Sequence, residues 1–590
     1  MKAQGKVAVR LLKKHLTRLF TIVAIVIVSL GFMTGILEVE NKIRIAVEEY
    51  YAKYNLSDLY LKSKNAYGFT QAEREEIKEQ FGEENVEESL CFETEEEGDI
   101  VRVYALNFNE NRINRLQLLE GKYPTSQDEI VAERQTEELE KYALGERVRL
   151  QGREYTVCGI VYNPLLILEV EEPSFAFEGK GLDKVFYQNA AGLPMVNDVH
   201  ITLENRDLFE GYSDDYKQEI DKRKVELTNA LGEENVSVLS LYENAGLYSL
   251  ISYAEKVGLI GIVFVVFFLL VTLLIVYSTM TRLLDEERGQ IACQKTLGYG
   301  NFGILNKYVR FVFLATLIGG LLAFPVGLGL TSMIYAAFSL NYRMPAFPAT
   351  LNFTYYFLTF GIVVIATTLL TFFNGMHVIK RKPVELLAPK APKSGKRVLL
   401  EKIPFIWNRL SFKYKSTVRN VFLFKSRFFM TVISIVGSTV LVFAGMGLMD
   451  CALKTDNATS LLAIAMAVIV FSAALCALVI YNLTNINVSE RNREIATLMV
   501  LGYHSGEVTG YIFREIYIMS AIGAVLGVPL GVGFVEFVFG LIDFGALADI
   551  NWWTYLLTPL ITMLFSWLST KLLRRKITKT DMNASLKTLE

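Results

Sequence analysis

The stretch EERGQIACQKTLGYG, Glu286–Gly300, returns as ERNREIATLMVLGYH, Glu490–His504. The copies lie about 204 residues apart, and one constant offset pairs Ile291 with Ile495, Ala292 with Ala496, Leu297 with Leu501, Gly298 with Gly502 and Tyr299 with Tyr503. The register extends upstream to Tyr277 and Tyr481. Downstream it pairs Arg310 with Arg514, Gly319 with Gly523, Pro325 with Pro529, Gly327 with Gly531 and Gly329 with Gly533. A gap-free register over roughly 60 residues marks an internal duplication, which decides a fold before local detail does. Two related halves in one membrane chain predict a pseudo-symmetric machine.

Each copy lies between long apolar runs. A helix needs ~20 apolar residues to cross a bilayer. About eight runs qualify. In the first half they are Leu19–Leu37, Val257–Met280, Phe311–Phe338 and Phe353–Met376. In the second half they are Phe428–Leu448, Leu461–Leu483, Ile516–Leu541 and Trp553–Leu573. Lys2, Lys6, Arg10, Lys13, Lys14 and Arg18 precede the first run, a Lys- and Arg-rich linker separates runs four and five, and Lys571, Arg574, Arg575, Lys576 and Lys579 close the chain. With eight spans these basic regions share one side, so both termini are expected in the cytoplasm. The first run has no small-residue cleavage site after it and reads as an uncleaved anchor.

Arg18 and Phe20, opening span one, match Arg427 and Phe429, opening span five, at an offset of about 409. The second half has the short loop Asp450–Ser460 where the first half has roughly 205 more residues. One domain is therefore inserted between the first two spans of the first half. Residues 40–250 hold roughly 44 acids against 23 bases. The acidic block falls outside and the basic remainder faces the cytoplasm, which argues against nucleic acid as a partner. An acidic surface serves solubility or draws a cationic substrate. Of five cysteines, Cys91 and Cys158 both fall in this block and are the pair that a disulfide would join; their distance is open. No metal-ligand spacing occurs, and the four histidines form no cluster.

The inserted block reads as mixed α and β. Phe69–Gly82 is expected as an amphipathic helix stopped by glycine. Asp99–Phe108 alternates as a strand, Glu146–Asn163 reads as two strands around a Gln151-Gly152 turn, and Asp198–Asn205 is a further strand. Ser213–Gly232 is expected as a helix, and residues 38–57 and 238–256 as helical stalks. The linker at 380–427 carries Pro383, Pro389, Pro392 and Pro404.

With these features assembled, the chain resembles the FtsX-like permeases of the MacB superfamily, the membrane subunits of type VII ABC transporters. Their E-R-x-x-E-I-A-x-L-x-x-L-G signature is matched by Glu490, Arg491, Glu494, Ile495, Ala496, Leu498, Leu501 and Gly502. The first copy departs from it, with Glu287 and Arg288 after Glu286 and Gln290 in place of the second Glu. Leu118–Glu133 with Leu144–Val161 is similar to the family's periplasmic core domain, and Arg381–Pro389 and Thr580–Lys587 resemble the tails closing each permease unit. The expected fold is an α-helical integral membrane protein. About eight transmembrane helices form two pseudo-symmetric four-helix repeats, with one mixed α+β extracytoplasmic domain inserted between the first two helices. The expected segments are 1–37, a cytoplasmic N-terminal helix and first span; 38–254, a MacB-like core domain with stalks; 255–380, a first FtsX-like permease domain; 381–427, a basic linker; 428–459, the fifth span and its loop; and 460–590, a second FtsX-like permease domain and tail.

No G-x-x-x-x-G-K-[ST] loop occurs, so the chain has no phosphate cradle of that kind, and no Ser-His-Asp, Cys-His or H-E-x-x-H arrangement suggests an enzyme. The resemblance implies that ATP and Mg are used by a separate ABC ATPase subunit, two copies per chain, in the bacterial cell membrane. Other partners it implies are membrane lipid and an extracytoplasmic adaptor, substrate or hydrolase. The repeated cytoplasmic stretches are expected as coupling helices. Ile291, Leu297, Ile495, Leu498 and Leu501 would anchor in ATPase grooves. Glu286, Arg288, Glu490, Arg491 and Glu494 would set polar contacts or local pairs. Gly298 and Gly502 also suit helix C-caps, followed by Tyr299 and Tyr503. Gly319, Pro325, Gly327, Gly523, Pro529 and Gly531 read as close helix packing or as hinges. Arg310, Arg514 and Glu515, at span ends, read as snorkelling charges or as an intramembrane ion site. The expected function is that of the permease subunit, coupling ATP hydrolysis to mechanical work outside the membrane (export or extraction of a peptide, lipid, lipoprotein or antibiotic); the alternatives are a regulatory transducer controlling an extracellular cell-wall hydrolase or a sensor kinase, and an ATP-independent membrane scaffold or receptor.

Overall fold

The computed structural model describes residues 10–108, 111–134, 142–167, 174–177, 179–190, 195–204, 206, 213–348, 353–387, 401, 404–409, 412–423, 425–455 and 459–578. Lys2, Lys6, Pro389, Pro392, Asn205, the Thr580–Lys587 tail and the Glu490 side chain lie outside what is described. The chain divides into two compact units. One comprises Met1–Glu38, Val257–Ile334 and Leu351–Glu590, and the other Val39–Lys256 and Tyr335–Thr350.

In the first unit the apolar runs form helices because twenty or more such residues satisfy every backbone group internally. Among the described residues eight helices are long and apolar enough to cross a membrane. They are α1 (Leu16–Tyr54), α4 (Ala245–Glu286), α6 (Asn301–Phe338), α7 (Thr354–Ile379), α11 (Lys425–Ala452), α12 (Thr459–Glu490), α14 (Ser505–Ile542) and α15 (Trp552–Thr578). Short helices join them: α5 (Arg288–Thr296), α8 (Pro383–Leu387), α9 (Pro404–Arg409), α10 (Phe412–Leu423) and α13 (Asn492–Val500). The repeat register reappears as geometry. The ends of α4 and α12, both ends of α5 and α13, and both ends of α6 and α14 coincide under the one offset.

Packing repeats too. A Cβ on Gly319 would lie 2.8 Å from Val26 Cβ, and one on Gly523 2.7 Å from Ile435 Cγ2. A Cβ on Gly327 would strike Thr34 Oγ1, and one on Gly531 would lie 2.9 Å from Phe443 Cδ1. These glycines let α6 close on α1 and α14 close on α11, the small-residue packing used in bilayers. Pro325 and Pro529 sit inside α6 and α14 on exposed positions, and both helices continue through them. Polar side chains bridge α4 and α12: Asn482 Nδ2 donates to Thr279 Oγ1 at 2.9 Å and Arg282 donates to Asn487 Oδ1 at 3.1 Å.

The second unit is built on a ten-stranded sheet, ordered β10-β1-β9-β2-β3-β8-β5-β7-β4, with β6 paired to β7. The strands are β1 (Leu59–Ser63), β2 (Val86–Glu96), β3 (Asp99–Leu106), β4 (Gln117–Gly121), β5 (Glu129–Glu133), β6 (Arg147–Leu150), β7 (Arg153–Tyr162), β8 (Lys184–Asn189), β9 (Asp198–Ile201) and β10 (Val236–Ser240). Leu59, Leu61, Val199, Ile201, Val236 and Val238 pack against Ile77 of α2 (Gln71–Phe81) and Ile220 and Leu227 of α3 (Asp214–Leu231). By the two-residue period of a strand, Tyr60, Lys62, Asp198 and His200 face the other way. Their cross-strand neighbours continue that face: Ser89 opposite Asp198, Cys91 opposite Tyr104, and Glu93 opposite Arg102.

The expected helices appear, with Thr70 and Glu73 forming a capping box on α2 and the Ser213 hydroxyl capping α3. Gln151 and Gly152, both at positive φ, make the two-residue β6–β7 turn. The 238–256 stalk is corrected at its start: β10 and a 3₁₀ turn at Leu241–Glu243 precede α4. Cys91 and Cys158 are free thiols. They lie on β2 and β7 with three strands between them. At ~4.8 Å per strand that separation exceeds what a disulfide spans.

Candidate functional site

The repeated stretches form two matching elements, α5 and α13, between consecutive spans. Each ends in a Schellman motif. Tyr299 N–H donates to the Gln294 carbonyl and Gly298 N–H to that of Lys295; Tyr503 donates to Leu498 and Gly502 to Met499 in the same way. The motif places its fifth residue in the left-handed region, and Gly298 and Gly502 have φ of 85° and 90°. Leu-Gly-Tyr is therefore the ending of the element in both copies.

That ending projects apolar side chains. Leu297 is 75% exposed and Leu501 68%, with Tyr299, Phe302, Val500 and Tyr503 also exposed. Phe302 and Val500 were not singled out in the sequence; their place beside the two caps is what marks them. Ile291, Ala292, Ile495 and Ala496 are fully buried within the chain. Ile291 and Ile495, expected to anchor in a partner's groove, are thus turned inward, while Leu297 and Leu501 are exposed. Leu498 is half-buried against the cluster containing Ile495, Val508 and Ile512.

The charges split similarly. Glu494 is exposed, but Arg491 is buried and makes a two-pronged ion pair with Glu515, at 2.8 Å and 2.6 Å. Glu515 is accordingly neither a snorkelling charge nor an isolated ion site. Arg514 donates to the Gly510 carbonyl at 2.8 Å, and Arg310 is exposed. In the first copy Glu286 pairs with Arg18, and Arg288 is half-buried. The hub is the unpredicted Glu287, only 1% exposed at its side chain, which accepts from Lys14 at 2.7 Å and contacts His15 Nε2 at 3.2 Å. Burial pushes this carboxyl up, but hydrogen bonds from His15 and Lys14 prevail and hold it at about 2. Lys295 Nζ donates at 2.6 Å to the carbonyls of Ile379 and Arg381, tying α5 to the end of α7.

Comparison with known families gives the same division. The FtsX-like permease C-terminal family matches residues 262–383 and, independently, residues 466–582. The match therefore occurs twice, once in each half of the internal repeat, in a chain with eight helices long and apolar enough to cross a membrane among its described residues. No curated protein matches the chain.

Proposed function

We propose that the chain is the mechanical membrane subunit of an ABC transporter, driven by ATP hydrolysis in a separate subunit. The observation that carries this reading is the pair of exposed tips, Leu297-Gly298-Tyr299 and Leu501-Gly502-Tyr503, at equivalent positions of two permease domains. Exposed apolar residues at the ends of short helices anchored by a buried Ile-Ala pair suit insertion into a groove. Two tips suit two ATPase copies, which would hold ATP and Mg. With both termini in the cytoplasm of a cell-membrane protein, the tips lie on the ATPase side and the sheet domain on the far side. Nucleotide-driven movement of α5 and α13 passes to the spans and on to the sheet domain, which works on a peptide, lipid, lipoprotein or antibiotic. The test is co-purification with the ABC ATPase produced alongside it. Leu297→Asp with Leu501→Asp is expected to abolish association while membrane insertion persists; retained association would refute the assignment.

A further inference from the structure

The polar face of the sheet domain lines a half-open cavity of about 260 Å³. Its floor is Tyr60 and Lys62 of β1, Arg102 and Tyr104 of β3, and His200 of β9; Leu165, Leu166 and Phe175 close the opposite side. Buried charges need partners, and most here have them. Glu93 binds Arg102 at 2.6 Å and also accepts from the backbone N–H of Ala176 at 2.9 Å. Asp198 accepts from Tyr60 Oη at 2.9 Å. His200 stacks on Tyr60 with ring centroids 4.9 Å apart, and burial pushes its imidazole down to about 4, so it is neutral.

Lys62, which is half-buried, is the exception. Among the described residues it has no carboxylate within ion-pair distance; its ammonium lies against the Phe175 ring, whose other close cation is Arg102 at 5.0 Å. Burial lowers its pKa, Asp198 and Glu93 oppose that and Arg102 adds to it, and an anion in direct contact with the ammonium would offset the burial. Leu165, Leu166, Leu239 and Leu241 form the apolar part of the lining, and Glu243, which also lines it, is ion-paired to Lys224 at 2.6 Å. The volume is below the ~300–1,000 Å³ typical of drug-sized ligands, so the occupant is small.

We propose that this cavity binds a small organic anion, a carboxylate attached to a compact apolar body, with the carboxylate on Lys62 and the body between Phe175 and the leucines. A peptide C-terminus and a short-chain acid share this chemistry. Asn244 and Ala245, at the start of α4, also line the cavity. Asn244 caps that helix through Leu247 N–H at 3.0 Å and donates to the Leu165 carbonyl at 3.0 Å. Occupancy therefore orders the first turn of α4.

The test uses the full chain in nanodiscs with three probes: N-acetyl-leucine, 4-methylpentanoate and N-acetyl-leucinamide. Calorimetry is expected to show at least one acid binding about tenfold or more tighter than the amide. Preference for N-acetyl-leucine assigns a peptide end, and preference for 4-methylpentanoate a free acid. Lys62→Met is expected to cost about tenfold or more, Lys62→Arg to retain binding, and Leu166→Trp to abolish it by filling the cavity. Amide exchange of residues 241–248 should slow with ligand in the wild-type chain. Exchange at β1 and β9 reports whether each variant is folded. If Lys62→Met fails to fold, Leu166→Trp and the acid–amide comparison decide alone. Equal binding of acid and amide, unchanged affinity in the folded variants, or no binding of either acid at about 10 mM would overturn the proposal.

Discussion

Glu287 and Arg491 occupy one position of the internal repeat with opposite charge, each at the N-cap of its short helix and each buried. Glu287 is held from the N-terminal segment by Lys14 and His15, whereas Arg491 is held by Glu515 of α14. The two copies thus fasten the same element to different neighbours. This accounts for one of the first copy's departures from the E-R-x-x-E pattern: position 287 needs an acid because its neighbours are bases.

Unequal sensitivity follows. Arg491→Met removes the two-pronged ion pair from the buried Glu515 carboxylate and should cost about 3–5 kcal/mol. Arg491→Met with Glu515→Met should recover most of that loss. Glu287→Gln should cost less, because Lys14 is 58% exposed and regains water. Thermal unfolding of the detergent-solubilised chain measures all three, and a double variant no better than Arg491→Met would contradict the pairing.

The close-packed glycines give a positional prediction. Gly319→Ala and Gly523→Ala each force a Cβ to within 3 Å of the facing helix and should destabilise by about 1–3 kcal/mol. Gly329→Ala and Gly533→Ala meet nothing within 4 Å and should be neutral or slightly stabilising. Thermal midpoints of the four variants check this; equal effects at all four would contradict the packing.

The sheet domain anchors Arg343, in the segment after α6, by ion-pairing it to the buried Glu133. Burial raises the Glu133 carboxyl, while Arg343 and the Asn163 N–H lower it. Arg343→Met should destabilise the sheet domain by about 3–5 kcal/mol and Arg343→Met with Glu133→Gln by less, read from amide exchange at β5 and β8.

Asp198 and His200 oppose one another in pH dependence. Burial raises the Asp198 carboxyl from 3.8 to about 6, so the folded domain takes up a proton first and gains stability as pH falls from about 6 towards 4. Burial lowers His200 from 6.5 to about 4, so its contribution is lost as pH falls through the same window. His200→Gln should therefore make the domain more stable at pH 5 than at pH 7, and Asp198→Asn the reverse, by amide exchange at β1 and β9. Parallel profiles in the two variants would contradict the assignment.

The duplication, the eight apolar runs and a mixed sheet domain in the N-terminal region were legible because they are written in periodicity and length, whereas the joining of Tyr335–Thr350 to the sheet's unit was not. The α2 and α3 caps and the Gln151-Gly152 turn were legible because their chemistry is local. The first strands of the sheet were not read, since β1, β2 and β10 carry charged or polar residues on a face that this fold buries. Exposure within the repeated short helices was also hidden. Ile291 and Leu297 look alike as apolar letters, and only the Schellman ending and the neighbouring helices separate an inward side chain from an outward one. Glu287 escaped notice because its partners lie some 270 residues earlier, in Lys14 and His15.

The most direct test of the central claim is ATP turnover by the partner ATPase reconstituted with this chain in nanodiscs. The account predicts a complex of one permease chain with two ATPase copies, whose turnover falls to that of the free ATPase when Leu297 and Leu501 are both changed to Asp. A wild-type chain that leaves turnover unchanged, or a double variant that turns over like wild type, would contradict it.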